Sequence, residues 1–233
     1  MKSTAIILLT AILTFSAGAL QRKSPDKIDL DQLTAETLLD ASHSKDHIAF
    51  VWYIPSEYWD AVISQNREMG KREKARAGKT MKTLTVIAVV QGDVPHTGPV
   101  RYYEKIFLQD SLRFIRIDAL GRKYEYIPYK TSSGEVKKLL ESIVPALRSS
   151  VGPLAENLQF FVFNDQAADG SRILDPYRPG ALEIELKRKD GQKLEAKLEF
   201  PLNALFVPRR CPNGKPADVT WKYCPWTGKK LPR

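Results

Sequence analysis

Two hydrophobic patterns divide the middle of this chain into strands. Residues 47–54, 83–90 and 158–163 are almost continuously apolar and rich in β-branched and aromatic side chains, which is typical of buried strands. Residues 182–200 instead alternate apolar with mostly charged positions on both sides of Asp190-Gly191, a pair that favours a tight turn. The pattern therefore predicts three buried strands and, at 182–200, a hairpin whose apolar face lies on the core.

A second hairpin is predicted near residues 112–129. Leu120-Gly121-Arg122 separates two stretches with strand character, and glycine suits the reversal between them. Residues 101–108 also have the aromatic and apolar composition of a strand, and we predict one there.

Helical signals are weaker. The pattern predicts a short helix at 34–41 with Thr34 as N-cap, and a second helix from Ser56 to Asn66. A third is predicted after Ser132, which has capping-box spacing to Glu135. Its apolar positions, and the proline expected to kink or end it, are Val136, Leu139, Leu140, Ile143, Pro145 and Leu147. Residues 67–79 are dense in charge and favour a solvated helix end followed by a mobile loop.

The order of these elements predicts an α+β fold. Strands outnumber helices and several neighbours are joined by short turns, which favours a mostly antiparallel sheet with one or two packed helices. We place this domain at residues 20–205 and a small C-terminal module at 206–233.

The first nineteen residues resemble a signal peptide in their three-part pattern. Lys2 provides the positive charge, Thr4–Phe15 the apolar stretch, and Ala17-Gly18-Ala19 a small-residue cleavage site. The apolar stretch is shorter than the ~20 residues of a spanning helix. We therefore predict export to the periplasm or the exterior, with an uncleaved N-terminal anchor as the alternative.

Composition agrees with a folded and soluble mature chain. The protein has 233 residues, 43% hydrophobic and 27% charged, and a net charge of +9. A basic surface attracts anionic partners such as acidic envelope polymers or lipid headgroups, although a merely well-solvated surface is the simpler interpretation. Export makes nucleic acid an improbable partner.

The C-terminal tail resembles a known small module. Two segments, Cys211-Pro212-Asn213-Gly214 and Cys224-Pro225-Trp226-Thr227-Gly228, are separated by a linker that contains Trp221-Lys222-Tyr223. This order is similar to the short zinc ribbons, whose two knuckles each carry two cysteines. Each knuckle here has lost its second cysteine, and two thiolates cannot complete the four-ligand site that zinc requires. We therefore predict neither a bound metal nor a cofactor.

The resemblance implies what replaces the metal. Cysteine sulfurs that share one zinc ion lie close enough to form a disulfide after a small shift. An oxidising compartment would preserve that bond. We therefore expect Cys211 and Cys224 to be joined, the alternative being free thiols or a bond to another chain. Ribbons often serve as platforms for protein or nucleic-acid contact, whereas a structural cap is the role favoured here.

Known catalytic motifs are absent from the sequence. It contains no phosphate-binding glycine loop and no nucleophile elbow. His43 and His47 have a helical metal-ligand spacing but lack the accompanying glutamate, so solvated histidines are favoured. The scattered acids that an enzyme would have to bring together are Glu104, Asp110, Asp118, Glu125, Asp165, Asp169 and Asp175. The last three fit no EF-hand, and ordinary turn roles are favoured for them.

Tyrosine and arginine are interleaved between residues 101 and 130. Such side chains on a sheet can bind sugars or anionic polymers, although tyrosine also favours any half-exposed strand. The candidate ligand surface consists of Tyr102, Tyr103, Tyr124, Tyr126, Arg113 and Arg116.

Three functional hypotheses follow. The first is a non-enzymatic binding or structural protein of a bacterial envelope, monomeric or weakly associating. The second is an exported hydrolase whose carboxylates converge in a cleft, and the third is a subunit of an envelope assembly. Convergence of the acids of 101–130 and 164–180 would favour the hydrolase.

Overall fold

The structure is a computed structural model, which describes residues 20–130, 134, 136–138, 140, 141, 144 and 152–232. The predicted signal segment, Ser132, Glu135 and Pro145 lie outside the described residues. Within them, four α-helices have complete bounds: α1 (Leu30–Thr37), α2 (Ser56–Gln65), α3 (Lys71–Met81) and α4 (Lys105–Ser111). The described positions between 134 and 144 are also helical, as the sequence predicts.

The first sheet is built on the three continuously apolar stretches. Strands β2 (His47–Ile54), β3 (Leu84–Asp93) and β7 (Gln159–Asn164) correspond to the predicted buried strands, with β3 antiparallel to both of the others. The short strands β1 (Leu38–Asp40) and β4 (Arg101–Tyr102) complete this sheet.

The second sheet contains both predicted hairpins. Strands β5 (Arg113–Ile117) and β6 (Lys123–Glu125) form one hairpin, and β8 (Gly180–Lys187) and β9 (Lys193–Phe200) form the other. All neighbouring pairs are antiparallel, in the order β6-β5-β8-β9. The α+β class and both hairpins are therefore confirmed.

Each hairpin reverses at a glycine in the left-handed region. Gly121 has φ 77° and donates its N–H to the Asp118 carbonyl, while Gly191 has φ 90° and donates to Arg188. This geometry, a turn followed by a left-handed residue, suits the twist of the strands on either side.

Aromatic contacts join the two sheets in one core. Phe114 of β5 packs edge-on against Phe163 of β7, with ring centroids 5.0 Å apart, and Tyr53 of β2 packs against Phe200 of β9 at 5.4 Å. Trp52, Tyr53 and Phe163 are fully buried. The alternation of β9 places Leu194, Ala196, Leu198 and Phe200 on this core and its charged residues in solvent.

Several local predictions are wrong, beginning with the first helix and the strand at 101–108. The first helix is α1 and begins after Asp29, whose carboxylate caps Gln32 N–H at 3.0 Å, so Thr34 lies inside the helix. Residues 101–108 are not one strand, because only Arg101–Tyr102 pairs with β3 and α4 follows. Leu108, Ser111 and Leu112 are buried and have the spacing of one helix face. In so short an apolar run, the sequence pattern does not distinguish a helix from a strand.

The charge-dense segment is helical rather than a loop. α3 covers Lys71–Met81 and packs on α2 and β3, and Met81 is its fully buried residue. Its basic and alanine residues are good helix formers, and the one buried side chain fixes its inner face. α2 agrees with the sequence, although Pro55 rather than Ser56 is its N-cap.

The tail forms a small unit with its own core. Strands β10 (Arg209–Arg210) and β11 (Pro216–Ala217) pair, and Cys211, Cys224 and Leu231 are buried together. Phe206 and Val219 instead belong to the main core, so the unit is continuous with the body of the protein.

None of the helices in the described residues has the length and apolarity needed to cross a bilayer.

Candidate functional site

A large cleft lies where the two sheets meet. It has a volume of about 880 Å³ and is bounded by α4, the β5–β6 hairpin, the edge of β7 and the helical residues of 134–144. A volume of this size suits a small molecule or a short piece of another chain.

Aromatic residues form the floor of the cleft. The Phe114 and Phe161 rings lie 5.4 Å apart, and the Tyr126 ring stacks on Phe163 at 4.4 Å. The Tyr126 hydroxyl donates to the Asn164 carbonyl at 3.3 Å, and burial raises the pKa of this phenol far above its usual value. Tyr126 therefore acts as a rigid neutral part of the floor.

One wall of the cleft is a partly open strand edge. After β6 the chain continues along β7, where Tyr129 N–H donates to the Val162 carbonyl at 2.8 Å. That bond shows that Val162 directs its peptide groups away from β3. Phe160, two residues earlier, points its N–H and C=O the same way, because strand residues alternate in direction. Within the described chain, no hydrogen bond reaches Phe160 from the cleft side.

The rim of the cleft is charged and slightly basic. Four cations and three anions line it, so its net charge is +1: Lys105, Arg113, Lys130, Lys137, Asp110, Glu125 and Glu141. Arg113 faces Glu125, and Lys137 faces Glu141, each at 3.9 Å. Lys105 and Lys130 have no anionic partner among the described residues. Two exposed apolar side chains, Ile127 and Tyr129, also line this opening.

The structure brings two of the six predicted ligand-surface residues to this cleft. Arg113 and Tyr126 line it. Arg116 stacks on Tyr124, with its guanidinium 4.1 Å from the ring centre, on the exposed hairpin. Tyr102 and Tyr103 lie at the far end of β3.

Tyr103 has a structural role at that end. Its hydroxyl donates to Asp93 at 2.6 Å, and burial together with this bond raises its pKa to about 12. His47 is buried beside it and contacts the Gln91 amide at 3.2 Å. His43 is exposed in the preceding turn, so the helical spacing assumed for a metal pair does not occur. Buried His47 is therefore not the solvated residue that was expected.

Sequence reasoning missed the open edge of β7. Ile127, Tyr129 and Phe160 belong to the cleft, but their contacts join segments about thirty residues apart. The only local signal is Pro128, which cannot donate to a strand partner and so marks where β6 leaves its sheet.

A buried charge cluster fastens the long loop after β7 to α2. Arg172 forms ion pairs with Glu57 and Asp165, and its Nη2 lies 2.8 Å from the Asp165 carboxylate. Leu174 N–H donates to the other Asp165 oxygen at 2.8 Å. Burial raises the pKa of both carboxyls, and the Arg172 charge opposes the rise. The cluster does not line the cleft, and it fits a structural role.

The predicted acids do not converge. From 101–130, Asp110 and Glu125 reach the cleft, while none of residues 164–180 line it. Asp169 and Asp175 accept backbone hydrogen bonds at 2.9 Å from Ser171 and Tyr177, which are turn roles as expected. In the described part of the chain, no group of three or more His, Cys, Asp or Glu residues could hold a metal ion.

The tail holds its two thiols in contact. Cys211 and Cys224 are buried together in the small core of the tail, and both are free thiols in the structure. Each cysteine opens a tight turn, with Gly214 N–H donating to the Cys211 carbonyl and Gly228 N–H to the Cys224 carbonyl, both at 2.8 Å. Both turns close at a glycine, three residues after Cys211 and four residues after Cys224.

Comparison with known proteins adds no relative. No family model, no curated protein and no solved structure matches this chain. The function has to be argued from the cleft and the surfaces themselves.

Proposed function

We propose that this is an exported, non-enzymatic binding protein of a bacterial envelope, and that its cleft takes an extended peptide segment. The observation that carries the proposal is that, among the described residues, nothing bonds to the Phe160 N–H and C=O on the cleft side of β7. A peptide that lies beside this edge would bond to the Phe160 N–H and C=O and extend the sheet by one strand.

The surroundings of that edge support an extended ligand. Leu158–Val162 runs along the cleft for roughly 13 Å at the rise of a strand. Its Val162 end is already paired with Tyr129, so a peptide would pair at Phe160 and continue past Leu158. Successive side chains of the peptide would point alternately to the aromatic floor and to solvent. The unpaired Lys105 and Lys130 at the rim favour acidic residues on either side of an apolar one.

The export part of this proposal rests on the first nineteen residues. Cleavage after Ala19 would preserve the described contacts of the N-terminal segment. Leu20 packs on the core, and the Gln21 carbonyl accepts from Val207 N–H at 2.8 Å. A hydrolase is not proposed, because the acids of the two segments do not meet in the cleft.

The test is selection of peptides from a displayed random library, followed by hydrogen exchange. We expect selected peptides to slow exchange of the Phe160 amide at least tenfold while the exposed amides of the β8–β9 turn are unchanged. Phe160→Pro removes this N–H at a strand edge, where proline is tolerated, and should weaken binding at least tenfold. Phe160→Leu keeps the N–H and should bind within about threefold of the original.

Two outcomes would overturn the proposal. The first is a set of selected peptides that does not protect the Phe160 amide, and the second is equal binding by Phe160→Pro and Phe160→Leu. Circular dichroism of both variants separates a lost contact from a lost fold.

A further inference from the structure

One segment, made of α3 and the residues next to it, carries more than half of the net charge of the protein. Between Arg67 and Lys82 lie seven cationic and two anionic side chains, a net charge of +5 against +9 for the whole chain. The cations are Arg67, Lys71, Arg72, Lys74, Arg76, Lys79 and Lys82. This concentration of charge is distinct from the cleft, which involves none of these residues.

The geometry of α3 arranges most of these cations on one face. At 100° per residue, five positions fall within an arc of about 140°, and each is exposed: Lys71, Arg72, Arg76, Lys79 and Lys82. Ala75 is the sixth residue of this face. Glu73, the one acid of the helix, lies outside the arc. We call these six residues the α3 face.

The opposite side of the helix is fixed on the protein. Met81 is buried, Ala77 and Gly78 are half-buried, and Lys74 turns its ammonium to the Ser64 carbonyl at 3.1 Å. The helix therefore cannot turn its charges inward. In the described part of the chain, no ion pair involves Lys71, Arg72 or Lys79, so their charge is not neutralised locally.

We propose that the α3 face docks the protein on a membrane surface that carries anionic phospholipid headgroups. The face is about 16 Å long at the rise of a helix, bears one sign of charge and does not line the cleft. It suits a broad layer of anions rather than a single small ligand. It also has no exposed aromatic or large apolar side chain, so it would rest on the headgroups without entering the hydrocarbon.

Docking of this kind depends on summed charge. Each basic side chain near an anionic membrane strengthens binding by up to about fivefold, and salt screens the attraction. Removing three cations of the face should therefore weaken binding by well over tenfold.

The test is sedimentation of the purified protein, in the form that cells produce, with two kinds of vesicle. One contains phosphatidylglycerol and phosphatidylcholine, the other phosphatidylcholine alone. We expect binding to the first at low salt, little binding to the second, and release at high salt. The variant Lys71→Gln, Arg72→Gln, Lys79→Gln should lose at least tenfold in binding to the anionic vesicles.

A matched control changes the same net charge elsewhere. Lys45→Gln, Lys193→Gln, Lys222→Gln removes three exposed lysines away from α3 and should bind within about threefold of the original. Equal losses in the two variants would mean that net charge alone drives binding, and would overturn the proposal. Failure of the original protein to bind anionic vesicles would do the same, as would binding to polygalacturonate in preference to vesicles. Because no residue of the cleft is changed, these outcomes leave the peptide proposal to its own test.

Discussion

At the residue scale, the sequence could not show which charges are buried. Arg172 and Asp165 lie in a polar loop and Glu57 begins a helix, so each one looks like an ordinary surface residue. In the structure Asp165 has 2% of its surface exposed and Glu57 8%. A buried ion pair adds little net stability, but loss of one partner leaves the other charge uncompensated.

Arg172→Met should therefore destabilise the protein by about 3–5 kcal/mol at pH 7.5. Burial raises the pKa of Glu57 and Asp165 above the values near 4 that they have in the unfolded chain. Just above pH 4, the folded protein therefore binds more protons than the unfolded protein. Stability contributed by these groups is present below about pH 4 and falls as pH rises through their folded pKa values. Loss of the arginine raises both pKa values further.

The cost of Arg172→Met should accordingly be smaller at pH 5 than at pH 7.5 in urea unfolding. Arg178→Met is the control, because Arg178 forms an exposed pair with Asp175 at 3.4 Å, and it should change stability by no more than about 0.5 kcal/mol. An equal cost at both pH values would contradict the proposed cause.

At the element scale, the hydrophobic pattern predicted strands better than helices. β2, β3 and β7 were predictable because nearly every residue is apolar, and β8 and β9 because alternation leaves one face in water. α4 was mistaken for a strand because seven residues are too few to establish a helical period. α3 was mistaken for a loop because a single buried side chain, Met81, fixes it on the body.

Gly78→Ala tests the helical assignment of α3. Alanine in a helix interior is more stable than glycine by about 0.5–1 kcal/mol, and a Cβ at position 78 would meet nothing within 4 Å. We expect a higher urea midpoint with an unchanged slope. Gly121→Ala is the matched control, since its Cβ would also meet nothing, yet φ 77° should cost roughly 1–2 kcal/mol. A loss of stability in Gly78→Ala would argue against a helix at this position.

At the scale of the whole molecule, the tail is attached to the body by a polar junction. Asn203 N–H donates to Glu36 at 2.6 Å, and its side chain bonds to Asp218 and to Val219 N–H. Arg209 donates to four carbonyl groups of the tail, those of Asp218, Val219, Trp221 and Pro232. The two thiols therefore occupy a fixed place on the protein.

We propose that Cys211 and Cys224 form a disulfide in the exported protein. The intact mass should be lower by two hydrogen atoms without reductant, and both sulfurs should resist alkylation until reduced. The bond closes a loop for which chain-entropy arguments give about 3 kcal/mol, so reduction should lower the urea midpoint. Alkylation of both thiols without reduction, or stoichiometric bound metal, would contradict this proposal.

The reduced protein gives a second readout of the same pair. Burial by itself would raise the pKa of Cys224. Hydrogen bonds outweigh burial and lower this pKa to about 7; they come from the Cys211 and Thr227 side chains and from nearby backbone N–H groups. Burial and the bond to Cys224 raise the pKa of Cys211 to about 11. Cys211→Ser should therefore leave a thiol whose alkylation rate rises through pH 7, whereas Cys224→Ser should leave one that reacts only at much higher pH.

The sequence by itself determined the α+β class, both hairpins and the buried strands of the first sheet, because these depend on local periodicity and turn residues. Only the tertiary structure decided which distant residues meet. The cleft beside Phe160, the pairing of Arg172 with two acids and the outward direction of the α3 cations depend on contacts between segments far apart in the chain. Periodicity describes which side of an element is apolar, whereas a site requires the relative positions of several elements, and packing fixes those positions.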